Sequence, residues 1–587
     1  MLSLTKEQRD AVSASGHVAV DACPGSGKTR AVVARIIHAV EGLGRGPRRV
    51  GCITYTNAAV WEIQRRLRDF GLGDAIERCD IATIHAFGMQ QILRYYHALV
   101  KPYAAGFSVV TLDDEAFIES ANEACRRHRI RPNARSIANA LRASDGSPLL
   151  PQKMLWLRDA VAEFWRLLEA QGLIDFPSVV YRTYQILRDY PEIARAVACR
   201  YESIIVDEFQ DTSRLQVEIL RLIAQHGGTR FLLVGDPNQS IYGFAGARPE
   251  LMRAFARELK IKRAFPFSGN FRSNEGVLDD AESLLPRAKS MQAVGKHKDC
   301  PIRPRHIATD DVVASVINDF LPAAETAGVQ YRHMAVLAPA WHHLRPIGRA
   351  LQAEGIPITG AGSRPYRRSN LIATLAEEAG AFVESIGESR FVERFDRVLE
   401  NMVAEVVGGL PREKGSWSWQ RLVHRLLKHA KASRAIDHMA KPWLERFARD
   451  SETELAAFGY PQFLDAKILR QATRELLSSM QSDVDVSRMT VRDFGVFARP
   501  DESIKLLSIH AAKGREFEAV ALVGVFDGSL PYFKEGRAPD DIEEDRRKLY
   551  VAITRAKRVL FYIVANHQPR SRLLRELRSF PASEASK

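Results

Sequence analysis

The sequence predicts an α/β protein built on two parallel-sheet domains, each interrupted by a mainly helical insertion. Three observations carry this. An apolar run, His17–Asp21, feeds a glycine-rich loop and then a helical pattern, the order of strand, tight turn and helix in an α/β unit. Two further apolar runs, Ser203–Val206 and Phe231–Val234, each end in acidic residues and a loop, as buried parallel strands do when their C-terminal ends face a ligand. The same pattern then restarts late in the chain, in Ile504–Ile509, Ala519–Val525 and Val559–Val564.

Over residues 1–88 the pattern is helix, strand, glycine loop, helix, strand, helix. The helix after the loop carries Ala31, Val32, Val33, Ile36 and Ile37 at helical spacing. Residues 89–190 read as a helical, arginine-rich insertion, and the first sheet resumes over 191–267. A second α/β stretch begins near Ala264 and includes the strand Met334–Ala338. It is interrupted by the helical block 385–498 and completed by 499–587. The tail Pro581–Lys587 is expected to fray.

Composition sets limits on function. The 587 residues, 46% hydrophobic, suggest about three to five domains. The start lacks an apolar signal region, and no apolar run approaches the roughly 18 residues a membrane helix needs, so a soluble protein without a membrane role is expected. Cys23, Cys52, Cys79, Cys125, Cys199 and Cys300 are scattered without a CxxC pair. That argues against a zinc ribbon or an iron–sulfur cluster and fits a reducing cytoplasm. With 84 Lys and Arg against 71 Asp and Glu, the net charge is +13, which favours polyanionic partners.

Ala22-Cys23-Pro24-Gly25-Ser26-Gly27-Lys28-Thr29 lies between a strand and a helix, the context a phosphate-binding loop requires. Gly25 and Gly27 let the backbone curl so that its N–H groups face phosphate oxygens, and the helix N-terminus adds its dipole. Lys28 can reach the β and γ phosphates, and the Thr29 hydroxyl can ligate Mg²⁺. These eight residues and Arg30 are the nucleotide-binding candidates. The bare pattern arises by chance in roughly a few per cent of chains this long, so the partners decide.

Ile204-Ile-Val-Asp207-Glu208-Phe-Gln210-Asp211 supplies them. Asp207 ends an apolar strand, where it can hold Mg²⁺, and Glu208 is suited to act as general base toward the attacking water. The bland alternative, an N-cap cluster for the next helix, leaves the two adjacent acids after a strand unexplained. In Leu233-Val-Gly-Asp236-Pro-Asn-Gln239-Ser-Ile-Tyr242-Gly-Phe244, Gln239 could sense the γ phosphate or the water. Tyr242 and Phe244 could stack on bases or pack in the core. Arg272 and Arg555 stand in Asn270-Phe-Arg272-Ser and Ile553-Thr-Arg555-Ala as catalytic candidates for spreading charge on the γ phosphate.

These residues, in this order, resemble the UvrD/Rep/PcrA group of superfamily 1 helicases over nearly the whole chain. Leu4–Val12, with Gln8, looks like the Q motif; Thr54–Asn57 like motif Ia; Thr83–Phe87 like motif Ib. Asp207 and its neighbours resemble motif II, Gly235–Ala247 motif III, Asn270–Ser273 motif IV, Ser508–Phe517 motif V and Glu543–Ala556 motif VI. The closing segment Ser571–Leu577 is also similar to the family's.

The resemblance implies two RecA-like P-loop domains with ATP between them. It places 1A at 1–88 and 191–267, insertion 1B at 89–190, 2A at 268–384 and 499–587, and a reduced insertion 2B at 385–498. It implies ATP and Mg²⁺ as cofactors, with Thr29 and Asp207 at the metal. It gives Gln8 the adenine edge, Phe271 the adenine face, Glu516 the ribose, and Arg272 and Arg555 the γ phosphate. Tyr55, Asn57, His85, Phe87, Tyr242, Phe244 and His510 match positions near a single-stranded DNA path, and the implied movement is 3′ to 5′. Implied partners are single-stranded DNA and 3′-tailed or forked duplexes.

Departures are Phe244 for tryptophan, Ala245 for arginine and Arg515 for leucine. Arg126, Arg127, His128, Arg129, Arg131 and Arg135 form a basic run that is either a duplex contact or a solvated helix face. Three functions fit: a helicase, a translocase that strips proteins from single strands, or an ATP-sensing subunit gating a separate nuclease in a defence complex. Repair proteins are the other implied partner class.

Overall fold

The computed structural model describes residues 3–71, 76–112, 114–262, 264–360, 371–385, 389–407, 411, 413, 415–478, 480, 489–498, 502–533 and 539–581. The last six residues of the tail expected to fray, and the side chain of Ala245, lie outside them. The chain folds as two compact units: Met1–Pro301 with Gly536–Thr554, and Ile302–Glu535 with Arg555–Lys587.

The first unit is built on six strands: β1 (Val18–Ala22), β2 (Arg49–Thr54), β3 (Cys79–Thr83), β4 (Tyr201–Val206), β5 (Arg230–Gly235) and β6 (Phe265–Phe267). Their order is β6-β1-β5-β4-β2-β3, every pair parallel. β1, β4 and β5 are neighbours, so the C-terminal ends that carry the phosphate loop, Asp207 and Asp236 emerge side by side, as the rule for open parallel sheets requires. Val20, Ile205, Leu232 and Val234 on one face join Val32, Val33 and Ile36 of α2 (Lys28–Glu41), the helix that follows α1 (Lys6–Ser13), in a buried cluster. Each such side chain contributes about 1.5–3 kcal/mol of burial.

The insertion over 89–190 is helical, with a core of its own built from Phe117, Ala121, Cys125, Phe164, Trp165 and Leu168. Its buried cations are matched: Arg142 and Arg182 both donate to Glu169 Oε1, at 2.8 and 2.7 Å. In the basic run, Arg126 pairs with Glu123, and Arg127 pairs with Glu123 and Glu163.

Residues 268–301 and the helix Pro539–Ile553, which the sequence reading places with the second sheet, pack in the first unit. Segment 268–301 contributes only a two-residue ladder, Gly269–Asn270 with Gln292–Ala293. Its side chains close the phosphate loop instead, and Arg547 Nε on the helix donates to Ser240 O at 2.8 Å. No local pattern marks that long-range choice.

The second unit has strands β7 (Arg305–Thr309), β8 (Met334–Ala338), β9 (Ile358–Gly360), β10 (Ile504–Ser508), β11 (Phe517–Val523) and β12 (Ala556–Ala565). They are parallel throughout, in the order β7-β12-β11-β8-β10-β9. The block between β9 and β10 is helical, including Ala373–Glu384, Trp417–Ile436 and Ala440–Phe458, around Trp419, Leu426, Trp443 and Phe447. Among the described residues no helix is long and apolar enough to cross a membrane.

Candidate active site

β1 delivers the chain into a loop with Gly25 at φ 66° and Gly27 at φ 76°, both left-handed, and Gly27 caps α2. A Cβ at Gly25 would lie 2.6 Å from Arg272 Cβ, and one at Gly27 would lie 2.9 Å from Gln8 Nε2, so the glycines permit both close approaches. Ala22 and Cys23 are fully buried, Cys23 N–H bonds to Phe267 O at 3.0 Å, and burial pushes the Cys23 thiol up to about 12. Arg30 Nη1 donates to Ser3 O at 3.1 Å.

Two segments brace this loop. Gln8, 2% exposed, donates from Nε2 to Ser26 O at 2.7 Å and accepts from Thr5 N–H at 2.9 Å. These two contacts hold Gln8 against the phosphate loop. On the other flank, Asn270 Nδ2 donates to Pro24 O at 2.6 Å and Phe271 N–H to Gly25 O at 2.9 Å. Asn270 Oδ1 accepts from Arg272 N–H at 2.8 Å, while Arg272 Nη1 reaches Thr554 O at 3.2 Å. The Phe271 ring is exposed beside the loop.

Lys28 Nζ lies 3.5 Å from Glu208 Oε1. Glu208 takes φ 52°, a left-handed backbone that a residue with a side chain adopts at a cost of about 1–3 kcal/mol and that recurs at active sites. Its other carboxylate oxygen accepts from Gln210 Nε2. Gln239 Nε2 donates to Asp236 Oδ2 at 2.6 Å. Asp207 is buried, and burial first and the Glu208 charge second push its carboxyl up to about 7, with Lys28 opposing.

Asp207 Oδ1 has no hydrogen-bond partner among the described residues. A buried oxygen in that state calls for a cation or a donor, and with Thr29 on the adjoining helix turn the set fits Mg²⁺, a hard cation held by oxygens. Mg²⁺ needs the ionised carboxylate, so binding expels a proton below about pH 7. The apparent affinity of the nucleotide site for Mg²⁺ is therefore expected to be weaker at pH 6 than at pH 8; a titration at the two pH values checks this.

Of the DNA-side candidates in the first unit, Tyr55, Tyr242 and Phe244 come together. Tyr55 stacks on Tyr242 with ring centroids 5.0 Å apart, and Phe244, 57% exposed, meets Tyr242 edge-on at 6.0 Å. Asn57 is the exposed first residue of the helix Asn57–Asp69. His85 packs edge-on against the exposed Phe176 at 5.4 Å, a ring the sequence reading missed because it stands outside every motif. Phe87 is a correction: it is 0% exposed, tilted against Tyr201 in the core, because the helix Ile84–Gly88 turns it inward with Ile84. It cannot meet a base there. Phe244→Ala is expected to weaken single-stranded DNA binding about 5- to 150-fold at fixed salt, the value of about 1–3 kcal/mol of stacking; fluorescence anisotropy measures it.

In the second unit, Arg555 is 1% exposed and donates from Nη1 to Arg515 O at 3.1 Å, while the Arg515 side chain is exposed. Glu516 pairs with Lys557 at 3.0 Å. His510 lies on the short helix Ile509–Ala512 that follows β10.

The family described as UvrD/REP helicase N-terminal domain matches residues 4–260, and that described as UvrD-like helicase C-terminal domain matches 462–567. The chain is similar to the ATP-dependent DNA helicase Rep of Buchnera aphidicola, 23% identical over 629 residues covering 96% of this chain and 94% of that one. It is similar to Rep of Escherichia coli K12, 24% identical over 97% and 91%. DNA helicase II of Haemophilus influenzae is 26% identical over 95% and 83%.

Proposed function

Because the chain belongs to the UvrD/Rep-like superfamily 1 helicases, we propose that it is an ATP-dependent DNA helicase that moves 3′ to 5′ along a single strand. The observation that supports this reading is one loop. It begins at Asp236, which accepts from Gln239, and runs to Tyr242 and Phe244, the exposed end of an aromatic stack. A displacement at the Gln239 end is thereby carried to the bases within a few residues.

Hydrolysis converts ATP and water to ADP and phosphate. In the resting site Lys28 faces Glu208. The β and γ phosphates compete for Lys28, which leaves the Glu208 carboxylate to accept the proton of the water attacking the γ phosphorus. Thr29 and Asp207 would hold Mg²⁺, which when bound neutralises charge on the β and γ oxygens. Gln239 orients the water or senses the γ phosphate, and Arg272 and Arg555 are the proposed arginines for its developing charge. The loop amides and the α2 dipole cradle the phosphates, and Phe271 offers a ring to the base.

Duplexes with a 3′ tail, a 5′ tail or blunt ends, with streptavidin displacement beside them, test the direction. Unwinding from the 3′ tail is expected. Streptavidin release without unwinding would make the protein a stripping translocase, and unwinding from the 5′ tail would contradict the polarity.

A further inference from the structure

Arg287 follows Pro286 just beyond the helix Glu275–Leu284 and belongs to none of the motifs. Its side chain is 7% exposed, and its guanidinium forks between two carboxylates: Nη2 to Asp21 Oδ1 at 2.5 Å and Nη1 to Asp236 Oδ1 at 2.7 Å. Asp21 stands on β1, one residue before the phosphate loop. Asp236 follows β5 and is fully buried. From Asp236 the network continues in two directions. Its Oδ2 accepts from Gln239 Nε2 at 2.6 Å, and its N–H donates to Gln210 Oε1 at 3.0 Å, while Gln210 Nε2 donates to Glu208.

A buried carboxylate stays ionised only when a cation and hydrogen bonds compensate it. Ionised, Asp236 is purely an acceptor, so the NH₂ end of the Gln239 amide must face it, which fixes the amide's orientation. Without the Arg287 fork the buried Asp236 side chain would lose the partner that fixes its place, and its hold on Gln239 would loosen. Lysine can supply the charge as a point but cannot span two carboxylates as a planar fork does.

We propose that Arg287 is a positioning residue for hydrolysis. Its fork ties the strand that feeds the phosphate loop to the Gln239 loop and holds Asp236 as the acceptor that orients Gln239. The proposal rests on the reading of Gln239 as the group that orients water or senses the γ phosphate.

The test compares full-length Arg287→Met, Arg287→Lys, Gln239→Ala and the double variant Arg287→Met/Asp236→Asn. Turnover and KM for ATP are measured at saturating single-stranded DNA, and nucleotide affinity with a fluorescent ATP analogue. Arg287→Met and Gln239→Ala are expected to lower kcat at least about tenfold with nucleotide affinity within about threefold of wild type. Arg287→Lys is expected to be intermediate. Adding Asp236→Asn, whose amide still accepts from Gln239 without a buried charge, should recover part of the kcat lost in Arg287→Met. A slow Gln239→Ala beside a wild-type Arg287→Met overturns this proposal and leaves the parent reading standing. Wild-type turnover in Gln239→Ala removes the parent reading and this proposal with it. Nucleotide affinity falling as far as kcat, with no recovery in the double variant, would reduce Arg287 to a purely structural role and also overturn it. If Arg287→Met does not fold, wild-type kcat and KM in Arg287→Lys overturn the proposal.

Discussion

Lys28→Ala is expected to lower DNA-stimulated ATP turnover by about 10²- to 10³-fold, the loss that follows removal of one preorganised group from developing charge. It should weaken nucleotide binding as well. Lys28 stands at the start of α2, where backbone amides and the helix dipole already favour an anion, and its ammonium adds a full positive charge there. The deletion also leaves Glu208 without the cation 3.5 Å away. The apoprotein should therefore change little in stability, because a partly exposed pair of that length contributes about 0–1 kcal/mol. Turnover in a coupled assay and the melting midpoint, measured on one preparation, separate the two. Near-wild-type turnover would remove Lys28 from the mechanism.

Glu208→Gln is expected to do the complementary thing. The amide keeps the size of the side chain but cannot accept a proton, so turnover should fall by about 10²- to 10⁴-fold while ATP still binds. The variant also loses the charge facing Lys28, which leaves Lys28 more available to phosphate, so nucleotide affinity should hold or rise. Single-turnover hydrolysis beside equilibrium binding shows whether chemistry alone is lost. If turnover persists, another group takes the proton and the assignment of Glu208 fails.

Much of this site was legible because its signals are local. The phosphate loop declares itself by spacing between an apolar strand and an amphipathic helix, and Asp207-Glu208 by its place at the end of a strand buried through Ile204 and Ile205. The helical insertions were legible from periodicity. What the sequence hid is long-range. Asn270 and Arg272 brace Gly25 from nearly 250 positions away, a contact set by which unit their segment packs in. The bond from the Gln8 amide to the carbonyl of Ser26 was hidden in the same way. Phe87 illustrates the converse: an aromatic on a short helix reads alike whether it faces solvent or core, and only the packing of Tyr201 against it decides. Arg287 was invisible because its partners, Asp21 and Asp236, lie 266 and 51 positions away with no motif around it.

The proposed role of the Lys28 site is to drive a motor that runs on DNA. It is tested most directly by ATP turnover of the full-length protein measured side by side without nucleic acid, with single-stranded DNA, with a 3′-tailed duplex and with RNA of the same sequence. Strong stimulation by single-stranded and tailed DNA, with RNA weak, is the predicted result. Turnover that is indifferent to nucleic acid, or greatest with RNA, would contradict it.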